Sequence, residues 1–141
     1  MFKKLLYAIC SAILAILYAI LFGVSQLAIS ESTQLEVLKV TKVHDGDTFK
    51  VNLNCDLDLF CKEIPIRPTG YDAFELNDAE NKADAIAARE QLRDLLVNAQ
   101  RIELKKVKRG KYFRLVADVY IDNVKLSDIM LDTGLVKPYD K

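Results

Sequence analysis

Residues 64–76 read IPIRPTGYDAFEL, an apolar strand-like segment that also carries Arg67, Asp72 and Glu75. Strand interiors favour apolar and β-branched residues, and a loop that only turns the chain is served by Gly, Asn and Ser. Three charges at spacings of five and three therefore need an explanation, either as parts of a functional site or, for Arg67 and Glu75, as a surface ion pair.

A bend in this segment decides whether its charges can meet. On a straight strand, residues five apart point to opposite faces of the sheet, so Arg67 and Asp72 can share a site only if the chain bends between them. Pro68 and Gly70 predict this bend, because proline removes a donor from the ladder and glycine permits a bulge.

Two further strands precede this segment. Residues 37–43 predict a first strand, and residues 48–54 a second, in which Phe49 and the apolar residues after it alternate with polar ones. The DGDT sequence at residues 45–48 joins them. The three strands predict an antiparallel meander that brings Asp47 and Asp72 near strand ends.

The chain beyond residue 76 continues with helix and strand patterns. Apolar residues spaced three and four apart predict a long helix, alternation predicts two strands, and a capping serine with a glycine stop predicts a short final helix. The predicted elements are a helix from Asn77 or Asp78 to about residue 98, a strand at 101–107, a turn at 108–110, a strand at 113–121 with Phe113 on its apolar face, and a helix from Ser127 to Gly134. Together they predict a small α+β domain on a five-stranded barrel-like sheet.

The N-terminal residues form a separate segment. Residues 5–24 are uncharged and follow Lys3 and Lys4, so they predict an apolar helix that spans a membrane with its start on the cytoplasmic side. Small residues near positions 23–30 also fit a cleaved signal peptide, and a buried soluble helix is the third interpretation. We expect residues 1–30 to be a transmembrane anchor or signal peptide, 31–36 a linker and 37–141 an exported domain, periplasmic or extracellular.

Charge and cysteine content bound the function further. Of the 20 basic residues only Lys3 and Lys4 precede residue 31, whereas all 20 acidic residues lie within residues 31–141, so this stretch carries a net charge of −2. Affinity for a polyanion must then come from local clusters such as the basic residues of 105–111.

Cys55 and Cys61 predict a disulfide in an exported domain, with two free thiols or a metal site as the alternatives.

From about residue 37 to residue 139 the chain resembles the staphylococcal nuclease (thermonuclease) family. The matching pieces, in order, are Asp45-Gly46-Asp47-Thr48; Arg67 with Gly70, Asp72 and Glu75; Lys111-Tyr112-Phe113-Arg114; and Gly134-Leu135-Val136 before Pro138-Tyr139. The resemblance implies a five-stranded oligonucleotide-binding (OB) barrel with helices. It also implies a calcium-dependent phosphodiesterase that cleaves DNA and RNA with little sequence preference, as a monomer.

The resemblance also assigns roles to residues. It makes Asp47, Asp72 and the backbone carbonyl of Ala73 ligands of Ca²⁺, makes Glu75 the residue that orients or deprotonates water, and makes Arg67 and Arg114 the phosphate-binding arginines. Oxygen ligands suit Ca²⁺, and the planar guanidinium matches a phosphate. Lys111 and Tyr112 are expected to bind the nucleic-acid substrate, Tyr112 by stacking on a base or touching phosphate, or else only to pack.

The chain departs from the family pattern at four places. Ala73-Phe74 replaces Thr-Pro, Pro68 interrupts the run after the arginine, Phe113 replaces a glycine, and the longer C-terminal helix of some members is missing. Phe74, Phe113 and Pro68 keep open a non-catalytic OB-fold module of the cell envelope that binds nucleic acid or protein. The apolar N-terminal segment keeps open a third alternative, a structural subunit of an envelope complex. Asp45 is assigned to the turn, and His44 to the turn or the core edge rather than to a metal site.

Overall fold

The computed structural model describes Ile13, Leu14, Tyr18, residues 34–55 and residues 57–139. The chain divides into two compact units, Met1–Glu31 and Ser32–Lys141. In the first unit the three described residues are helical and exposed, and the rest of the predicted apolar helix falls outside the described residues. Nowhere in the described part of the chain is there a helix with the length and apolar character needed to span a bilayer.

The second unit contains eight strands and three helices among its described residues. In chain order they are β1 (Leu35–Asp45), β2 (Thr48–Leu53), α1 (Asp58–Cys61), β3 (Ile64–Pro68), β4 (Gly70–Ala73), α2 (Lys82–Asn98), β5 (Ile102–Arg109), β6 (Leu115–Ile121), β7 (Val124–Lys125), α3 (Leu126–Asp132) and β8 (Val136–Tyr139).

Five of the strands close into a barrel. They are arranged in the order β3-β2-β1-β5-β6, and a parallel pairing of β3 with β6 joins the two edges. β1, β2 and β3 form the predicted antiparallel meander. The α+β class and the five-stranded barrel are confirmed, and closure satisfies the backbone groups that an open sheet would leave at its edges. This architecture is compatible with an OB-like barrel.

The core of the unit follows the alternation seen in the sequence. Phe49, Val51 and Leu53 of β2 point inward, and the register pairs Phe49 with Ile66 of β3. On α2, residues three and four apart are buried and cover the barrel: Ala85, Ala88, Leu92 and Leu96. Burial of these apolar side chains is the main stabilising contribution to the unit.

The predicted bend is confirmed. β3 ends at Pro68, and the chain restarts as β4 at Gly70, whose φ of +91° lies in the region that favours glycine. A Cβ added at Gly70 would lie 3.0 Å from the Cβ of Ser127, so only glycine leaves room here. β4 leaves the barrel and pairs with β8 in a separate two-stranded sheet.

The ends of several elements differ from the predictions. β1 begins at Leu35, inside the stretch predicted as a linker, and α2 begins only at Lys82. Asp78 does not start the helix, because its carboxylate accepts hydrogen bonds from the backbone N–H of Glu80 and the side chain of Asn81 and so holds a turn.

Two residue placements in the C-terminal half were wrong. Phe113 is exposed in a turn, and β6 begins only at Leu115, because Gly110 N–H donates to the carbonyl of Arg114 and closes the turn later than expected. Ser127 is buried inside α3, which begins one residue earlier because the β6–β7 hairpin runs directly into it.

Candidate functional site

The DGDT turn between β1 and β2 holds the first acidic residue of the site. Oδ1 of Asp45 accepts the backbone N–H of Asp47 at 3.1 Å, which confirms the turn role expected for Asp45. Gly46 is enclosed: a Cβ there would lie 2.8 Å from the Cβ atoms of both Ala73 and Ala88. The turn is therefore packed between β4 and α2, and it fixes the position of Asp47.

Asp47 is buried and hydrogen bonded on both carboxylate oxygens. Its Oδ1 accepts from Nη1 of Arg67 at 2.7 Å and from Oγ1 of Thr48 at 3.0 Å, and its Oδ2 accepts from the backbone N–H of Ala73 at 2.9 Å. Burial raises the pKa of Asp47 to about 6, although the bond from Ala73 and the charge of Arg67 act in the opposite direction. Asp47 is thus a desolvated carboxylate, and a nearby cation stabilises its ionised form.

Arg67 joins the two aspartates. Its Nη2 donates to Oδ1 of Asp72 while its Nη1 donates to Asp47. The bend after Pro68 makes this possible, because it turns Asp72 in β4 back toward the end of β3. Two carboxylates share one guanidinium, so this cluster carries a net negative charge that one more cation would balance.

Tyr71 supports the cluster from the core side. Its side chain is fully buried, and its hydroxyl donates to the carbonyl of Gly46 at 3.2 Å. Burial raises the pKa of the Tyr71 phenol, and the charge of Asp47 raises it further. The phenol therefore stays neutral and anchors β4 against the DGDT turn.

A cleft of about 840 Å³ opens beside this cluster. Arg67, Glu75 and Arg114 all line it, so three of the predicted site residues share one cleft, and Arg67 links them to Asp47 and Asp72. The remaining basic residues of its wall come from β5, the following turn and β7: Lys106, Lys108, Arg109, Lys111 and Lys125. A wall of this kind suits a polyanionic backbone.

Glu75 and Arg114 have side chains that are free to act on a ligand. The Glu75 side chain is exposed, and no other residue in the described part of the chain pairs with its carboxylate. Nε of Arg114 is buried and has no hydrogen-bond partner among the described residues. A buried donor without a partner costs free energy, so an acceptor from water or from a ligand that reached Nε would stabilise the site.

The turn before Arg114 presents two of the predicted substrate-binding residues. Lys111 lines the main cleft, whereas Tyr112 is 89% exposed and lines a smaller pocket of about 360 Å³ together with Lys42 and Lys50. Arg114 lines both pockets. In this turn Phe113 has a φ of +58°, a conformation that glycine adopts more readily. The centre of its ring lies 4.9 Å from the guanidinium carbon of Arg109.

His44 and the cysteines are also located. His44 is exposed and lines the smaller pocket. The sulfur atoms of Cys55 and Cys61 are joined, with their Cα atoms 5.9 Å apart, as the disulfide prediction expects. Neither side chain lies among the residues of the main cleft.

The sequence analysis missed part of the cleft wall. Asp118 is buried and holds Lys106 and Lys125, whose Nζ atoms lie 3.1 and 3.4 Å from its carboxylate oxygens. Burial opposes ionisation of Asp118, but the hydrogen bonds from Thr69 and Lys106 and the charge of Lys125 lower its pKa. Tyr139 also lines the cleft. The sequence signal that could have identified Asp118 is an acidic residue on a face of β6 that is otherwise apolar or aromatic.

The oxygen atoms of the site are of the type that binds a hard divalent cation, but they are few in number. No group of three or more acidic, histidine or cysteine side chains gathers within the described ranges. Two carboxylates and the Ala73 carbonyl would need water to complete the six to eight oxygens that Ca²⁺ takes. Asp47 has about four acceptor positions, of which Arg67, Thr48 and Ala73 use three.

The fold and the site define a class: a small α+β protein with a closed five-stranded barrel and a basic cleft at one end. The chain matches no protein-family model, and no curated protein matches its sequence. The resemblance to the staphylococcal nuclease family therefore stays a prediction.

Proposed function

We propose that this protein is a calcium-dependent phosphodiesterase of the staphylococcal nuclease type, which hydrolyses DNA and RNA with little sequence preference. The observation that carries the proposal is that Arg67 contacts both Asp47 and Asp72 at the edge of a basic cleft that Glu75 and Arg114 also line. These five residues come from three separate parts of the chain: the turn at 45–48, the segment 64–76 and the residue before β6.

Each side chain has a task in this proposal. Arg67 and Arg114 donate to the oxygens of the scissile phosphate and stabilise the charge that develops on it, which is worth about 10²–10³ in rate per donor at comparable oxyanion sites. Glu75 accepts a proton from the attacking water, since it lines the cleft and no residue in the described part of the chain competes for its carboxylate.

The acidic residues serve the cation. Asp47, Asp72 and the Ala73 carbonyl would hold Ca²⁺, which supplies Lewis-acid stabilisation of the phosphate oxygens when bound. Lys111 and the other lysines of the cleft wall bind the flanking phosphates, and Tyr112 or Tyr139 stacks on a base.

The cellular location and the oligomeric state of the protein belong to the same proposal. The uncharged run of residues 5–24 holds the protein at the membrane as an anchor, or directs its secretion as a signal peptide, and the domain acts outside the cytoplasm as a monomer. The Cys55–Cys61 disulfide suits an oxidising compartment.

A second candidate is a non-catalytic module that binds nucleic acid or protein. The observation that favours it is the saturation of Arg67: both of its Nη atoms donate to aspartates, so they are engaged before any phosphate arrives. In a binding module this ion-pair cluster is purely structural.

An activity assay separates the two candidates. The purified full chain is incubated with end-labelled single-stranded DNA in the presence of Ca²⁺ or EDTA. The nuclease proposal expects cleavage with Ca²⁺ only, a fall of about 10²–10⁴ in rate for Glu75→Gln with binding retained, and an unchanged rate for the control Glu80→Gln. Binding without cleavage, unaltered by Glu75→Gln or Arg114→Ala, would leave the module as the function.

A further inference from the structure

The loop between Cys55 and Cys61 exposes three large apolar side chains. Leu57, Leu59 and Phe60 are 63%, 82% and 63% exposed, and they fall within four residues of one another in sequence, on and before the short helix α1. Several exposed large apolar side chains on one short segment mark an interaction site more often than a lone exposed leucine does.

A disulfide, a backbone hydrogen bond and an ion pair constrain the described residues of the loop. Cys61 is buried in the core and is joined to Cys55, so both ends of the loop are fixed to the barrel. Phe60 N–H donates to the carbonyl of Leu57 at 2.8 Å, and the Lys62 and Asp58 side chains form an ion pair at the base of the loop. The apolar side chains are therefore presented outward instead of collapsing onto the domain.

The loop lies where the N-terminal segment joins the domain. β1 starts at Leu35, and its partner there is the end of β2: Val37 pairs with Leu53, and Asn54 N–H donates to the carbonyl of Glu36 at 3.5 Å. Cys55 follows directly. Leu38 at this end of the ladder is also exposed.

The DGDT turn that holds Asp47 lies at the other end of the same ladder. Asp45 pairs with Thr48 there, eight residues along β1 from Val37, or at most roughly 25 Å at the rise of a strand. The apolar loop and the DGDT turn therefore occupy opposite ends of the β1–β2 ladder, and a surface that covers the loop does not have to cover Asp47.

The length of the tether restricts what the loop can reach. Only ten residues, 25–34, separate the uncharged run of residues 5–24 from β1. Fully extended they span at most about 35 Å, so a domain anchored by that run stays within about its own diameter of the lipid surface. The end of the barrel that carries the loop is the end to which this tether is attached.

From this geometry we infer that the 55–61 loop is a second membrane contact, which inserts Leu57, Leu59 and Phe60 into the interfacial region of the bilayer. The inference rests on the membrane-anchor part of the proposed function and not on its nuclease part. The contact orients the β1–β2 ladder with the DGDT turn pointing away from the lipid surface, so that Asp47 and its neighbours stay accessible from the aqueous phase.

The chain contains no tryptophan, so a single introduced indole reports the contact directly. The full-length Phe60→Trp variant is reconstituted in vesicles of phosphatidylcholine and phosphatidylglycerol with brominated acyl chains. Its matched control is Phe113→Trp, an exposed aromatic position near the cleft. We expect blue-shifted emission and at least about twofold quenching for Phe60→Trp, with neither for Phe113→Trp. Leu59→Trp is the second reporter should Phe60→Trp misfold.

The outcomes separate the loop from the rest of the proposal. Flotation of the protein with the vesicles and equal, water-like emission from both reporters would overturn the loop contact alone. Failure to float would overturn the anchor and the loop contact together. A concentration-dependent blue shift without lipid would assign the loop to a second copy of the chain and would also overturn the proposal. Calcium-dependent cleavage of DNA, measured on the wild-type vesicles, tests the nuclease separately.

Discussion

Nη1 of Arg67 lies 2.7 Å from Oδ1 of Asp47, although 20 residues separate them in the chain. Arg67 also pairs with Asp72. One guanidinium thus compensates a buried carboxylate and holds a second, more exposed one beside it. The arrangement links stability to function, because the residue that would bind phosphate also stabilises the acidic cluster.

Replacing Arg67 should destabilise the protein. In Arg67→Ala the buried Asp47 loses its counter-charge, and we expect the free energy of unfolding at pH 7 to fall by about 3 kcal/mol in urea titrations. Arg67→Lys should recover only part of this loss, since one ammonium cannot serve both carboxylates as the planar fork does. The control Arg93→Ala, which removes an exposed pair with Glu90, should cost less than about 0.5 kcal/mol. Equal losses for Arg67→Ala and Arg93→Ala would refute this prediction.

The stability of the wild type should depend on the ionisation of Asp47. Its pKa of about 6 in the folded state lies above the unfolded value of 3.8, so the folded state holds the extra proton between these two pH values. The stability that this proton provides is complete below about pH 4 and is lost as the pH rises through about 6.

The Asn variant at this position tests that linkage. Asp47→Asn does not titrate, so its stability relative to the wild type should improve by about 3 kcal/mol between pH 4 and pH 8 in urea titrations, while cleavage is lost. The control Val97→Ala, which shortens an exposed side chain of α2 that does not titrate, should keep a constant difference from the wild type across this range. A constant difference for Asp47→Asn as well would contradict the assigned pKa.

Arg114 should show a trade between activity and stability. Arg114→Met removes the buried, unpartnered Nε but keeps an unbranched side chain, so we expect the unfolding free energy to rise by about 1 kcal/mol while cleavage falls about 10²–10³-fold. Thermal unfolding and initial cleavage rates measure the two effects. The exposed Lys111→Met serves as the control for stability and should change it by less than about 0.5 kcal/mol. A large loss of stability in Arg114→Met would mean that Arg114 has a structural role instead.

The Cys55–Cys61 bond should be present in the purified protein and should stabilise it. Intact mass should increase by about 2 Da on reduction, because two hydrogens are added when the bond opens. Closing so short a loop is worth about 2 kcal/mol in the chain-entropy description, so the Cys55→Ala/Cys61→Ala double variant should unfold at lower urea concentration. Cys10→Ala should leave the 2 Da difference unchanged. An unchanged mass on reduction would show two free thiols.

Local patterns in the sequence predicted much of the barrel. Alternation located β2 to within one residue, and the spacing of Ala85, Ala88 and Leu92 identified the buried face of α2. These signals are readable because a repeat of two or of about 3.6 residues reports which face of an element is buried. The elements that were missed, α1, β7 and β8, have two to four residues, too few to carry such a repeat.

The sequence by itself determined which residues alternate, where a long amphipathic helix runs, and that Pro68 and Gly70 bend the chain between Arg67 and Asp72. Only the tertiary structure decided that β3 pairs with β6, that β4 leaves the barrel to join β8, and that Asp47 meets Arg67. The physical reason is range: periodicity reflects neighbours within a few residues, whereas these contacts exist only once barrel closure has brought together strands far apart in the chain.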